Sequence, residues 1–284
     1  GYVSYANCGL PYYVGGVITD QEELTLQTPE SFRRRFAVDV RVRHEATAID
    51  PARKTVTVRR LEDGSEYEEA YDKLLLSPGA RPLRPALPGV ESARVFTLRT
   101  VEDTLRLHTF IQSSAPRSAV VVGGGFIGLE MMENLTHQGI QVTVVEKQRQ
   151  VMAPIDYDMA CGVHAYLRDK GVALRLDAAV EGFEETDSSL SVRLEGGERL
   201  ETDMVVLALG VVPDTGLAKE AGLTLGGRGA IVVNDRMETS APDIYAVGDA
   251  VQITHAVTGD PAWVPLAGPA NKQGRIAADN ICGG

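Results

Sequence analysis

Three glycines, Gly123, Gly125 and Gly128, stand in the spacing G-x-G-x-x-G within residues 119–146. A short β-branched run, Val120-Val121-Val122, precedes them, as a buried parallel strand requires. An amphipathic stretch follows, then a second apolar run at 142–145 and an acid, Glu146, eighteen residues past Gly128. Each part has a physical task. Gly123 permits the tight turn, Gly125 lets backbone approach a pyrophosphate, and Gly128 lets the next helix pack close to the sheet. The N–H groups that open this helix face phosphate oxygens. A carboxylate at 146 accepts hydrogen bonds from the ribose hydroxyls of an adenosine. The glycines alone describe only a tight strand–helix turn. Strand, glycines, helix and acid in this order predict a dinucleotide-binding βαβ unit.

Length and charge narrow the setting. A chain of 284 residues suits two domains of ordinary size. Against 28 basic residues stand 39 acidic ones, a net charge of −11, so no nucleic-acid partner is expected. No apolar run approaches membrane-spanning length and no signal-peptide pattern opens the sequence, so no membrane partner is expected. The three cysteines, Cys8, Cys161 and Cys282, are too few and too scattered for a disulfide framework or a metal site. That usage points to a reducing compartment, the cytoplasm.

The sequence also repeats itself. Residues 72–82, Asp-Lys-Leu-Leu-Leu-Ser-Pro-Gly-Ala-Arg-Pro, are echoed at 203–213 by Asp-Met-Val-Val-Leu-Ala-Leu-Gly-Val-Val-Pro. Both read D-x-apolar-apolar-L-x-x-G-x-x-P, a short buried strand running into a glycine turn. A hairpin signal precedes each copy, one turning at Asp63-Gly64 and the other at Gly196-Gly197. Two copies of one dinucleotide-binding unit are expected. Gly123 lies 80 residues before Asp203, and the same step back from Asp72 reaches position −8, so the first copy's glycine loop is expected ahead of Gly1.

Taken in order, the chain opens with Cys8 just before Gly9-Leu10-Pro11, where Pro11 suits the first turn of a helix. A thiolate is favoured at such a start, yet a lone cysteine also serves as an inert packing residue. Position 3, where a second redox cysteine would sit, is Val3, so Cys8 would work alone. Residues 28–36 read as a helix whose Arg33-Arg34-Arg35 is either a solvated face or an anion site. Residues 38–42 and 55–60 read as alternating strands. Residues 102–112 and 156–170 read as helices, with Cys161 packed inside the second. Residues 172–176 and 230–233 read as strands. Residues 240–250 give strand, Gly248 and Asp249, an acid placed to meet a sugar or ribityl hydroxyl or merely to cap a helix. Residues 265–279 begin as a turn and continue as a helix.

Ser-Tyr-Ala-Asn-Cys-Gly-Leu-Pro-Tyr-Tyr (4–13), Ser-Pro-Gly-Ala (77–80), the Gly123 loop, residues 239–250 and residues 265–280 together carry a family resemblance. The chain resembles the single-cysteine branch of the FAD-dependent pyridine nucleotide-disulfide oxidoreductases, and most closely coenzyme A-disulfide reductase. The resemblance implies an α/β protein with two Rossmann-like dinucleotide-binding domains, glutathione-reductase-like, the NAD(P) domain inserted in the FAD domain. The FAD-binding domain would comprise residues 1–113 and 241–284, incomplete at its amino terminus, and the NAD(P)-binding domain residues 114–240. A carboxy-terminal dimerisation domain would follow Gly284, and the full-length protein would be a homodimer.

The resemblance further implies residue roles. Cys8 is the redox nucleophile, held at rest as a mixed disulfide with coenzyme A, and Ser4, Asn7 and Asn271 line the substrate site. Asp249 meets the ribityl chain of FAD, Leu266 and Ala267 its ring system, Ala46 its adenine, and Ser77 and Gly79 its pyrophosphate side. Gly123, Gly125, Phe126, Ile127, Gly128, Glu130, Glu146 and Gly210 serve NADH or NADPH, with Glu130 near the nicotinamide. Glu146 repels a 2′-phosphate, whereas Lys147 and Arg149 just beyond it attract one. The expected activity is reduction of coenzyme A disulfide, or of a related persulfide or polysulfide, by NAD(P)H through FAD and Cys8. The alternatives are an NADH oxidase or peroxidase working through a Cys8 sulfenic acid, and a non-catalytic nucleotide-binding module.

Overall fold

The structure is a computed structural model and describes residues 1–186 and 188–283. Gly284, the last residue of the expected 241–284 segment, lies outside them. The chain forms two compact units, a larger one of residues 2–40 and 82–210 and a smaller one of residues 1, 41–81 and 211–284.

The larger unit is built on a five-stranded parallel sheet in the order Ala173–Arg175, Gln141–Val145, Ser118–Val122, Met204–Leu207, Val95–Phe96. Its central strands are apolar at nearly every position because both faces are covered. Successive side chains point to opposite faces, so alternate residues join two different cores. Val121 and Val206 face a core shared with the helices. Val120, Val122, Val205 and Leu207 face a core closed by Phe183, Leu190, Val192 and Leu194. Those four come from an antiparallel sheet of Val180–Glu185, Leu190–Leu194 and Arg199–Thr202. Each such side chain contributes about 1.5–3 kcal/mol on burial.

Among the described residues, this unit holds the α-helices α1 (Leu10–Val14), α2 (Pro29–Phe36), α3 (Val101–Ser114), α4 (Phe126–His137) and α5 (Tyr157–Asp169). α2 and α3 each open on a threonine, Thr28 and Thr100, in a reciprocal cap with Ser31 and Asp103. α1 is a single turn, but it buries Pro11 and packs Leu10, Tyr13 and Val14 in the core that holds Met131 and Leu135 of α4. Its end abuts α4 so closely that a Cβ on Gly15 would sit 2.1 Å from Asn134 Oδ1.

The smaller unit repeats part of this plan. His44–Asp50, Thr55–Arg60 and Glu66–Ala70 form an antiparallel sheet, and Leu74–Leu76 follows, paired in parallel with Ile244–Ala246. Both expected hairpins are present, and in both copies an antiparallel three-stranded sheet leads into a parallel strand and a left-handed glycine, Gly79 (φ 75°) or Gly210 (φ 94°). The residues after those glycines, Ala80–Pro82 and Val211–Pro213, pair with each other. α6 (Gly216–Glu220) and α7 (Ala267–Ile281) complete the unit, around a core that includes Leu76, Ile231, Ile244, Ala246 and Ala277.

Two expectations are corrected. Residues 38–42 are not a strand; the strand starts at His44, after a left-handed Arg43 (φ 59°). Their alternation of valines is real, but Val38 is exposed and the segment has no place in any sheet. Cys161 is not packed: it lies on the exposed face of α5, where Ala160, His164 and Leu167 turn inward instead.

Candidate functional site

The Gly123 loop lies at the carboxyl end of Ser118–Val122, in the crevice where an open parallel sheet takes its ligands. Each glycine is required by what surrounds it. Gly123 is left-handed (φ 110°) and a Cβ there would come within 2.3 Å of the Ala208 carbonyl. On Gly128 a Cβ would meet the Gly123 carbonyl at 2.0 Å, so only glycine lets α4 close on the strand. At Gly125 nothing lies within 4 Å of that position, which leaves open space beside the first residue of α4. α4 starts without a side-chain cap, so its leading N–H groups are left for another acceptor.

A cavity of about 470 Å³ opens here, lined by the glycine loop, Ile127, Glu146–Gln148, Pro154 and Gly210. Glu146 spans its edge. One carboxylate oxygen accepts the Gly124 N–H at 2.7 Å and the other the Gln148 N–H at 2.8 Å. The acid is therefore oriented before any sugar arrives. Phe126 lines this cavity and also a second one, of similar size, between α4 and α5. Glu130 lines the second cavity and not the first. Burial, and then the neighbouring Glu133, push the Glu130 carboxyl above the usual carboxylate range.

Cys8 lies in the same unit, exposed, in a 3₁₀ turn Asn7–Gly9 directly before α1. Asn7 is exposed beside it, and Ser4 sits half-buried in the strand Ser4–Tyr5, paired with Gln27. The Tyr5 hydroxyl donates to the Arg99 carbonyl at 3.4 Å. The buried residues of α1 anchor the turn, so an exposed thiol is carried on an ordered base.

In the smaller unit, Ser77 and Gly79 follow Leu74–Leu76, and Gly248 and Asp249 follow its parallel partner Ile244–Ala246. These four residues thus share the carboxyl end of two paired strands. Leu266 caps α7 with no side-chain hydrogen bond, and Ala267 is the first helical residue. α7 is tied to the Asp249 turn by Gln273, whose Oε1 accepts the Gly248 N–H at 2.7 Å. Trp263 Nε1–H donates to the Asp249 carbonyl at 2.7 Å, and the Arg228 guanidinium lies over its ring at 5.6 Å. Ala46 lies at a bulge of the strand His44–Asp50. Asn271 is exposed on α7, its side-chain amide donating to the Ala267 carbonyl.

Ser4, Asn7 and Cys8 thus belong to one unit and Asn271 to the other. Trp263, Gln148, Pro154 and Gly124 are additional residues that the sequence reading did not single out. Only Gly124 left a trace there, as a fourth glycine where the motif tolerates any residue. Among the described residues no cluster of His, Cys, Asp and Glu is arranged to hold a metal ion, and no helix is long and apolar enough to cross a membrane.

Known proteins share this arrangement. The chain is 36% identical over 283 residues to an NADH oxidase of Methanocaldococcus jannaschii, covering 99% of this chain and 62% of that one. It is 34% identical over 281 residues to the coenzyme A disulfide reductase of Staphylococcus aureus, covering 99% and 63%. Among solved structures, reduced Bacillus anthracis CoADR-RHD superposes with a TM-score of 0.96 at 49% identity, over 99% of this chain and 50% of that one. An NAD-dependent persulfide reductase from A. fulgidus superposes at 0.95 and 39% identity, over 100% and 53%. The chain thus spans about 62% of the length of the curated relatives it matches. The family model for pyridine nucleotide-disulphide oxidoreductases matches residues 1–274, so the chain belongs to that family and has its α/β fold.

Proposed function

We propose that this protein is an FAD-dependent NAD(P)H:disulfide oxidoreductase that reduces coenzyme A disulfide, or a related persulfide or polysulfide, through Cys8. The observation that carries the reading is Glu146, held to the glycine loop at Gly124 by one oxygen and to Gln148 by the other, at the rim of an open cavity. In this reading residues 1–113 and 241–284 bind FAD and residues 114–240 bind the nicotinamide nucleotide. The protein works as a homodimer in the cytoplasm. Its three cysteines are free of disulfides, which suits a reducing compartment.

The residues present fit FAD. Ser77, Gly79, Gly248 and Asp249 converge at one end of two paired strands, and Gln273 ties α7 to the Gly248 turn. There Asp249 holds the ribityl chain, Leu266 and Ala267 the ring system, Ala46 the adenine, and Ser77 and Gly79 the pyrophosphate side. Bound FAD supplies the two-electron link between NAD(P)H and sulfur. In the larger unit Gly123, Gly125, Phe126, Ile127, Gly128, Glu146 and Gly210 bind the nucleotide, and Glu130 serves its nicotinamide end. Glu146 favours NADH, because a 2′-phosphate beside a carboxylate is repelled; Lys147 is the residue that would temper this.

The chemistry of Cys8 is thiol–disulfide exchange. Two electrons and a proton reduce the Cys8–coenzyme A mixed disulfide to a Cys8 thiolate and free coenzyme A thiol. The thiolate then attacks one sulfur of coenzyme A disulfide, the S–S bond breaks, a coenzyme A thiolate leaves and the mixed disulfide returns. Ser4, Asn7 and Asn271 bind the thiol arm.

Mass spectrometry of the native protein tests the reading, because FAD and a coenzyme A adduct on Cys8 appear in one spectrum. Cys8→Ser is expected to abolish NADH-dependent disulfide reduction while leaving NADH binding intact. Full activity in that variant would overturn the role of Cys8. A second reading, oxygen or peroxide reduction through a Cys8 sulfenic acid, is favoured by the likeness to an NADH oxidase. NADH consumption that needs oxygen and no disulfide would select it.

A further inference from the structure

The glycine loop is clasped from two sides. Gly124 donates its N–H to Glu146, and its carbonyl accepts the Met152 N–H at 2.8 Å. A Cβ on Gly124 would lie 2.6 Å from Val151 Cγ1, so the contact is tight enough to require glycine. Met152 turns left-handed (φ 54°) to make it. Residues 151 and 152 sit midway along the segment that leads from Glu146 to α5, and other residues of that segment, Gln148 and Pro154, wall the nucleotide cavity. Gln150 closes the segment on itself, its side-chain amide donating to the Ile155 carbonyl at 2.8 Å.

One side chain pins this segment from behind. His164 of α5 is 3% exposed, and its Nε2 accepts the Val151 N–H at 3.2 Å. Val151 is itself fully buried, so no water replaces that acceptor without cost. An N–H can only donate, so the imidazole must present a bare Nε2 and carry its proton on Nδ1. Its charged neighbour on the same helix opposes a second proton. Arg168 lies one turn along α5, and Tyr157 presents its ring at 6.4 Å with the Arg149 guanidinium stacked on it from the segment side. Burial, and then the charge of Arg168, hold the imidazole below its ordinary value.

We propose that His164 is a positioning residue for the nucleotide: it fixes the Val151–Met152 turn against Gly124 and thereby sets the wall, from Glu146 to Pro154, that receives the adenosine half of NAD(P)H. This rests on the nucleotide-binding reading given above. Protonation of Nε2 would set one N–H against another and release the turn, so nucleotide affinity falls on the acid side of the imidazole's ordinary range.

The test is NADH binding to the 284-residue chain, followed by NADH fluorescence, with circular dichroism to report folding. His164→Leu, which fills the space without an acceptor, is expected to weaken NADH about tenfold, and AMP equally. His164→Gln, which restores an acceptor, stays within about threefold of wild type. As the pH falls below the imidazole's ordinary range, NADH weakens more for wild type than for His164→Gln. Wild-type affinity in His164→Leu, or the same pH response in wild type and His164→Gln, would overturn the proposal while leaving nucleotide binding intact. A wild-type chain that binds no NADH would remove both. Should His164→Leu fail to fold, the pH comparison with His164→Gln decides.

Discussion

The two copies of the strand-to-glycine repeat differ in what surrounds them. In the second, Met204–Leu207 is buried along its whole length, between Ser118–Val122 and Val95–Phe96. In the first, Leu74–Leu76 pairs with Ile244–Ala246, Leu75 is 39% exposed and only Leu76 is buried. The acids that open the copies diverge in the same way. One oxygen of Asp203 accepts the N–H groups of Arg117 and Ser118 and the Ser118 hydroxyl, at 2.8–3.2 Å. Asp72 is exposed. One sequence pattern therefore occupies two energetic environments, and the neighbours set the worth of each position.

Paired substitutions sharpen that contrast. Met204→Ala is expected to cost about 2–5 kcal/mol in urea unfolding, and Leu75→Ala less than about 1 kcal/mol. Equal costs would break the comparison. Asp203→Ala should cost about 1–3 kcal/mol, against about 0.5 kcal/mol or less for Asp72→Ala. Burial alone would push the Asp203 carboxyl up, but the N–H groups of Arg117 and Ser118 outweigh it and hold the carboxyl below the usual range. Its stabilisation is therefore complete above the unfolded value, about 3.9, and is lost as the pH falls through the lower folded value. The gap between wild type and Asp203→Ala accordingly narrows only in acid. The two copies should respond alike at one place. Gly79 and Gly210 are both left-handed, so alanine at either costs about 1–2 kcal/mol, and a much larger loss at one would mean that its turn carries more than backbone strain.

The sequence was legible where the physics is local. A β-branched strand, three spaced glycines and an acid after the next strand are short-range requirements, and the structure presents them in that order. The hairpins at Asp63-Gly64 and Gly196-Gly197 were legible for the same reason. Residues 38–42 were misread because alternation describes a side-chain pattern and cannot supply a partner strand. His164 and Trp263 could not be found this way. Each bonds a backbone group 13 or 14 residues distant, and no periodicity records such a bond. The clasp on Gly124 likewise depends on how tightly Val151 approaches, a matter of tenths of an ångström.

Trp263 is the only tryptophan in the chain, and its indole hydrogen-bonds the Asp249 carbonyl beneath the Arg228 guanidinium. Indole emission from this chain, excited where tyrosine does not absorb, therefore comes from a single known spot. Unlabelled protein carries its own optical gauge of the Asp249 turn, readable in real time as ligands or denaturants are added.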